Sequence, residues 1–244
     1  MSVVLNPATE EPLAELESAG VEETDAAVAR AKAAYPAWRA VAPADRARLL
    51  RRLATLVEEH HEELSRIESR NVGKPIAGAR GEVAMVAHVF HFYAGAVDKH
   101  YGETIPVGGG VDMTFREPLG VVGLITPWNF PLNIASWKLG PALACGNTVV
   151  LKPAELTPLS SMRLGELALE AGIPASRASS PRRMLESGVS SAGFSTTVLP
   201  QASAGPSFQD AMLSGKFHGV IRPTTPSGSL NVMSTPPATG IVSP

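Results

Sequence analysis

Apolar residues recur at helical spacing through most of the first hundred positions. Between 22 and 39 they are Ala26, Ala27, Val28, Ala31, Ala34, Tyr35 and Trp38, which predicts an amphipathic helix. Pro43 suits a first helical turn ahead of Leu49, Leu50, Leu53, Leu56 and Val57. Arg46, Arg48, Arg51, Glu58 and Glu59 form the solvated face of that second helix, and Asn71 and Gly73 punctuate its end. A third pattern over 77–100 brings Val83, Val86, Phe90 and Tyr93 to one side. Residues 103–107 and 111–116 then flank Gly108-Gly109-Gly110, the signature of a hairpin.

The period changes after Glu117. Residues 121–126 are almost wholly apolar, as in a strand buried on both faces. Pro127 lacks a backbone donor and biases Thr126 toward extended geometry, so the strand should stop there. Trp128 and Asn129 follow at the strand's carboxyl end, the edge where open α/β sheets take their ligands. A helix is predicted over 131–144, ended by Gly146, and a second strand over 148–152. Lys152-Pro-Ala-Glu155 leaves that strand with a cation and a carboxylate at the same edge. A last helix over 158–171 has Thr157 as its expected N-cap, Pro158 in the first turn, and Gly172 and Pro174 beyond its end. The fold class is α/β.

Charge and cysteine content narrow the setting. A net charge of -2 gives no reason to expect nucleic acid or an anionic membrane as partner. The N-terminus has no basic, apolar signal-peptide pattern, and no apolar run reaches the length of a membrane span. A single cysteine excludes an internal disulfide and fits a reducing compartment, so the expected location is cytoplasmic.

T-P-W-N-F-P at 126–131, followed by A-L-A-C-G-N-T-V-V-L-K-P-A-E at 142–155, resembles the first half of the NAD(P)-dependent aldehyde dehydrogenases. The resemblance extends over Asn6-Pro-Ala-Thr-Glu, Pro36-Ala-Trp-Arg, Gly73-Lys-Pro and Gly102-Glu-Thr-Ile-Pro, from about Val4 to Pro174. It implies an incomplete version of that fold: a helical region, a β-hairpin belonging to the oligomerisation arm, and part of a parallel-sheet cofactor domain. It implies that the Asn129 amide stabilises the oxyanion formed when a cysteine attacks the aldehyde. Ile125, Thr126, Pro127 and Trp128 would line the cofactor groove, and Lys152 and Glu155 would hold the adenosine ribose. A carboxylate there accepts from ribose hydroxyls and repels a 2′-phosphate, which favours NAD over NADP. In the family a small aldehyde is oxidised to a carboxylic acid, hydride passes to the nicotinamide, and a glutamate-activated water releases the product.

The chain departs from this pattern in several places. It has no GxGxxG, and neither the later glycine-rich turn for the pyrophosphate nor the E-L-G-G-K-type glutamate is found. Cys145, the lone cysteine, lies between an apolar helix and a strand, where it reads as a small buried hydrophobe rather than a nucleophile. His88 and His91 lack a third ligand for a metal. No Lys-Ser/Thr pair follows Gly108–Gly110, and Ser190, Ser191 and Ser195 lack nucleophile-elbow spacing. Two units follow: 1–174, including the hairpin over 103–116, and 175–244, where about half the residues are Ser, Thr, Pro or Gly. The scattered apolar residues of 189–199 and 212–221 fit neither period, and a frameshift or mistaken gene boundary produces such a break. Two functions follow: a truncated aldehyde dehydrogenase inactive by itself with impaired cofactor binding, or a non-catalytic fragment or oligomerisation partner of an intact relative. A homo-oligomer or a pairing with that relative is the expected assembly. An incomplete sheet without covering helices is expected to be poorly soluble.

Overall fold

The computed structural model describes residues 2–174 and the backbone of 196–198. Ser190, Ser191, Ser195 and the stretch 212–221 lie outside the described residues. The chain opens with β1 (Ser2–Leu5) and β2 (Pro12–Leu16), an antiparallel pair that the sequence reading did not anticipate. Val4, Ala14 and Leu16 bury one side of it against Leu159, while the turn is held by Asn6, whose carboxamide oxygen accepts from the Ala8 amide at 3.0 Å. Strands of four and five residues, with one and two buried side chains, leave too short an alternation to read.

Helix α1 (Val21–Arg39) matches its apolar pattern. The single helix expected from Pro43 to Gly73 is two, α2 (Pro43–Glu59) and α3 (His61–Val72). Neither Gly nor Pro marks that break. It is held from elsewhere: His60 Nδ1 meets Glu63 Oε2 at 2.7 Å, and Arg163, a hundred residues on, donates to Glu63 Oε1 at 2.7 Å. Gly73 closes α3 at φ +81°, a conformation a side chain resists, and a Cβ there would stand 2.6 Å from Pro7. Helix α4 (Ile76–Ala96) buries Val83, Val86 and Phe90 completely and ends in a 3₁₀ turn, Val97–Lys99.

A hairpin is present but shorter than expected: β3 (Thr104–Val107) pairs with β4 (Gly110–Met113) around a two-residue Gly108-Gly109 turn, with Gly110 in the strand and 114–116 beyond it. Every residue of both strands is exposed. Then come β5 (Val121–Ile125), α5 (Pro131–Ala144), β6 (Thr148–Lys152) and α6 (Leu159–Glu170). Strands β5 and β6 pair in parallel, with Ile125 opposite Lys152, and β7 (Thr196–Val198) pairs in parallel with the other side of β6. The sheet order is β5-β6-β7. Two expectations change here. The irregular reading of 189–199 missed the β7 backbone, and β5 is not buried on both faces: among the described residues it is an edge strand, and Leu124 is its one buried residue.

Covering helices are present on both faces. Ala27, Val28 and Ala31 of α1 pack on Val150, and the Thr148 hydroxyl donates to the Ala31 carbonyl at 2.9 Å. On the other face Val149 and Leu151 enter the main core with Leu132, Ala135 and Leu139 of α5, backed by α2 and α4. Alternate residues of one five-residue strand thus serve two cores.

Candidate active site

The carboxyl ends of β5 and β6 carry the sequence-predicted site residues. The Thr126 amide donates to the Lys152 carbonyl at 3.1 Å, which ties the exits of the two strands together. Thr157, expected to cap α6, makes no such bond; its hydroxyl instead donates to the Trp128 carbonyl at 2.8 Å. The loop after β6 therefore holds the loop after β5. Replacing Thr157 with valine keeps the shape and removes that bond. The expected result is a loss of about 1 kcal/mol with faster hydrogen exchange confined to the loop between β5 and α5, read by mass spectrometry.

Along that edge Ile125, Pro127, Trp128, Asn129 and Glu155 are exposed, and Lys152 is half-buried. Asn129 sits in the bend between β5 and α5, one residue before the Phe130 N-cap of the helix. Thr126 is 3% exposed, and its hydroxyl has no partner among the described residues. A buried hydroxyl, an exposed apolar rim, a cation and a carboxylate at one sheet edge fit the adenosine end of a dinucleotide. No glycine-rich cradle for a pyrophosphate occurs among the described residues, so the fit covers one end of such a cofactor.

Several neighbours escaped the sequence reading. Lys138 is the one charged residue of α5 and donates through Nζ to the Ile125 carbonyl at 2.7 Å. Burial holds its ammonium below the usual lysine value. A lone cation on an apolar helix was the signal that could have found it. The Phe130 ring stands edge-on to Trp137, centroids 5.5 Å apart, with the Lys74 ammonium 5.4 Å from its centre. Trp137 in turn lines an apolar groove of about 320 Å³ with Met85, His88, Val89, Phe92 and Tyr93. Behind the loop, Lys74 pairs with Glu68 at 2.9 Å and with Glu82.

Cys145 corrects another expectation. It is exposed at the C-cap of α5 and not buried, yet partial burial of its sulfur pushes the thiol above its ordinary value, with Arg46 opposing that only in part. It precedes β6, whereas Asn129 follows β5; parallel strands of five residues place those ends about 16 Å apart. His91 contacts Glu58 at 3.1 Å, and no cluster of metal-ligating side chains occurs among the described residues. None of the described helices is long and apolar enough to cross a membrane.

Comparison with known proteins decides the family. The family model described as "Aldehyde dehydrogenase family" matches residues 2–179. The chain belongs to the aldehyde dehydrogenase family. The putative aldehyde dehydrogenase DhaS of Bacillus subtilis is 48% identical over 174 residues, 70% of this chain and 35% of its own. Human retinal dehydrogenase 2 is 47% identical over 176 residues, 70% of this chain and 34% of its own. Among solved structures, PnpE in complex with nicotinamide adenine dinucleotide superimposes with a TM-score of 0.70 at 47% identity, covering 71% of this chain and 36% of PnpE. An NADP-dependent enzyme of Escherichia coli covers 86% of this chain and 40% of its own with a TM-score of 0.74 at 36% identity. The chain thus spans about a third of the length of the curated aldehyde dehydrogenases it matches.

Proposed function

We propose that this chain carries the oxyanion donor and the adenosine-side cofactor wall of an NAD-dependent aldehyde dehydrogenase, and that these 244 residues do not complete a turnover alone. The observation that carries the reading is the shared sheet edge: Asn129 on one strand exit, Lys152 and Glu155 on the next, bonded through Thr126 and Thr157. When bound, NAD would supply the hydride acceptor. Asn129 would donate its amide hydrogens to the aldehyde oxygen as negative charge develops there, in a bend held by Thr157 and capped behind by Phe130. Trp128, Pro127 and Ile125 would form an apolar wall, the Thr126 hydroxyl would bond a group entering the edge, and Lys152 and Glu155 would grip the ribose hydroxyls. A carboxylate at that position favours NAD over NADP. The groove at Trp137 and Phe92, joined to the loop by the Phe130–Trp137 contact, would receive the apolar part of the aldehyde. Its place of work, from the single cysteine, is the cytoplasm.

Catalysis also needs a thiolate near Asn129. The lone cysteine of the chain stands at the opposite end of the sheet with a raised pKa, so it cannot attack a carbonyl held by Asn129. Purified protein of confirmed mass should therefore give no aldehyde-dependent NADH above that of a Cys145→Ser variant. Turnover that survives purification and disappears in the Asn129→Ala variant would overturn this part of the proposal.

The exposed hairpin favours a second reading, association through that arm. Ile105, Val107, Val111 and Met113 are all more than two-fifths exposed, and Phe115 is 70% exposed just beyond β4. Apolar strands so presented are edges that seek pairing. The wild-type chain should migrate as an oligomer in light scattering, and Val111→Lys with Met113→Glu should shift it toward monomer. An unchanged mass in the double variant would remove the hairpin from the interface.

A further inference from the structure

The far end of the sheet holds a second cavity, of about 370 Å³, separate from the edge that carries Asn129. Its walls come from the last turn of α1, the first turns of α2 (Arg46), the end of α4 with the 3₁₀ turn after it (Tyr93), the segment before β5 (Arg116, Pro118) and the C-terminus of α5 (Pro141, Cys145). Pro118 and Cys145 each precede a strand, so the cavity opens at the amino edge of the sheet. Five-residue strands put it about 16 Å from the cofactor edge.

The charge lining it is one-sided. Three arginines face one carboxylate, Glu117, in a chain whose net charge is -2. Glu117 is taken up by Arg39 at 2.8 Å. Arg46 is half-buried; it donates Nε to the Ala144 carbonyl at 3.1 Å and Nη1 to the Val41 carbonyl, capping the end of α5. Those two bonds leave its Nη2 with hydrogens to donate. Arg116 donates Nε to the Tyr101 carbonyl at 3.1 Å, which orients its guanidinium and leaves the outer nitrogens unused by that bond. The carbonyl end of α5 would repel an anion, but Arg46 already covers it. What remains is a pair of oriented guanidinium groups beside Tyr93, Val97, Pro118 and Pro141, which offer an apolar surface. Guanidinium matches the oxygens of a phosphate group two at a time, and the volume exceeds what inorganic phosphate fills.

We propose that this cavity binds a small organic phosphate, its dianion held by Arg46 and Arg116 and its apolar part lying against Tyr93 and Pro141. The burial that lowers the Arg46 pKa fits a cation whose desolvation an anion would offset. The phosphate end of the site lies at the sheet edge opposite Asn129, and Tyr93 is the side chain that this cavity shares with the groove at Trp137.

Cys145 lines the cavity and is the only thiol of the chain, so it reports occupancy directly. The test is the rate of Cys145 alkylation by iodoacetamide, a neutral reagent, at constant ionic strength set with chloride. Phenyl phosphate should slow alkylation saturably, at lower concentration than inorganic phosphate, and phenol should not. Arg116→Gln should weaken the protection about tenfold. The proposal fails if protection follows ionic strength alone, or if it is equal in wild type and Arg116→Gln. The wild-type thermal midpoint gives a second readout that needs no variant: phenyl phosphate should raise it saturably, and a midpoint that does not move sinks the site. Neither measurement involves aldehyde or nicotinamide cofactor, so the outcome is independent of the proposed function.

Discussion

Replacing Lys74 with alanine should lower the unfolding free energy by about 3–5 kcal/mol, a large share of a typical domain's stability. Lys74 lies between two carboxylates, and one of them, Glu68, has no solvent exposure at all. Removing the cation leaves a buried charge with no counter-ion, and this penalty exceeds the worth of the pair itself. Burial, opposed in part by Ser160 and Lys74, already holds the Glu68 carboxyl above its usual range. A raised carboxyl pKa means that the folded chain keeps its proton to higher pH than the unfolded chain. The stability tied to Glu68 is therefore full below the ordinary carboxyl range and declines as pH climbs through the raised folded value. Lys74→Ala steepens that decline, so its deficit should be larger at neutral pH than under mild acid. Adding Glu68→Gln to Lys74→Ala should recover most of the loss at neutral pH. Urea unfolding at a series of pH values reads both, and a deficit independent of pH would refute the electrostatic account.

Phe90→Ala should be comparably severe, costing about 3–5 kcal/mol. Phe90 is fully buried in the core that α2, α4, α5 and β6 share. Deleting its ring removes apolar contact and leaves a void that rigid helices fill only in part. Phe92, two residues on, is 67% exposed, and Phe92→Ala should change stability by about 0.5 kcal/mol or less. The contrast between neighbours tests the helix register itself. Because α4 supports α5, whose first turn follows Asn129, Phe90→Ala should also quicken exchange in the loop over 126–130. Equal costs at the two positions would mean that α4 faces the core differently.

Helices and the motif were legible in the sequence because their signals are local. Leu50, Leu53 and Val57 repeat within one helix, and Phe90 with Val83 and Val86 in another. The placing of Ile125, Thr126, Pro127, Trp128 and Asn129 after one strand, and of Lys152 and Glu155 after the next, required only that a proline or glycine end each element. Thr157 was legible as polar and misread as a cap, since its partner, the Trp128 carbonyl, lies 29 residues away. Lys74 and the groove at Trp137 were not foreseen beside the loop, because Lys74 and the groove's Met85, His88 and Phe92 reach it from before and within α4, while Lys138 folds back from α5 onto the Ile125 carbonyl.

The sequence by itself determined the periods, the turns and the strand exits. Period 3.6 or 2 and the backbone freedom of residues such as Gly73 and Gly146, both at positive φ, act over a few residues whatever surrounds them. Only the tertiary structure decided that the helix after Pro43 breaks at His60. It also decided that β5 is an edge among the described residues, that Glu68 is buried, and that Cys145 faces a cavity of arginines rather than Asn129. Burial, pairing and electrostatic neighbourhood are properties of residues that approach from far along the chain, as Arg163 approaches Glu63 across a hundred positions. No local pattern encodes that approach; the packing of α1, α5 and α6 around the sheet creates it.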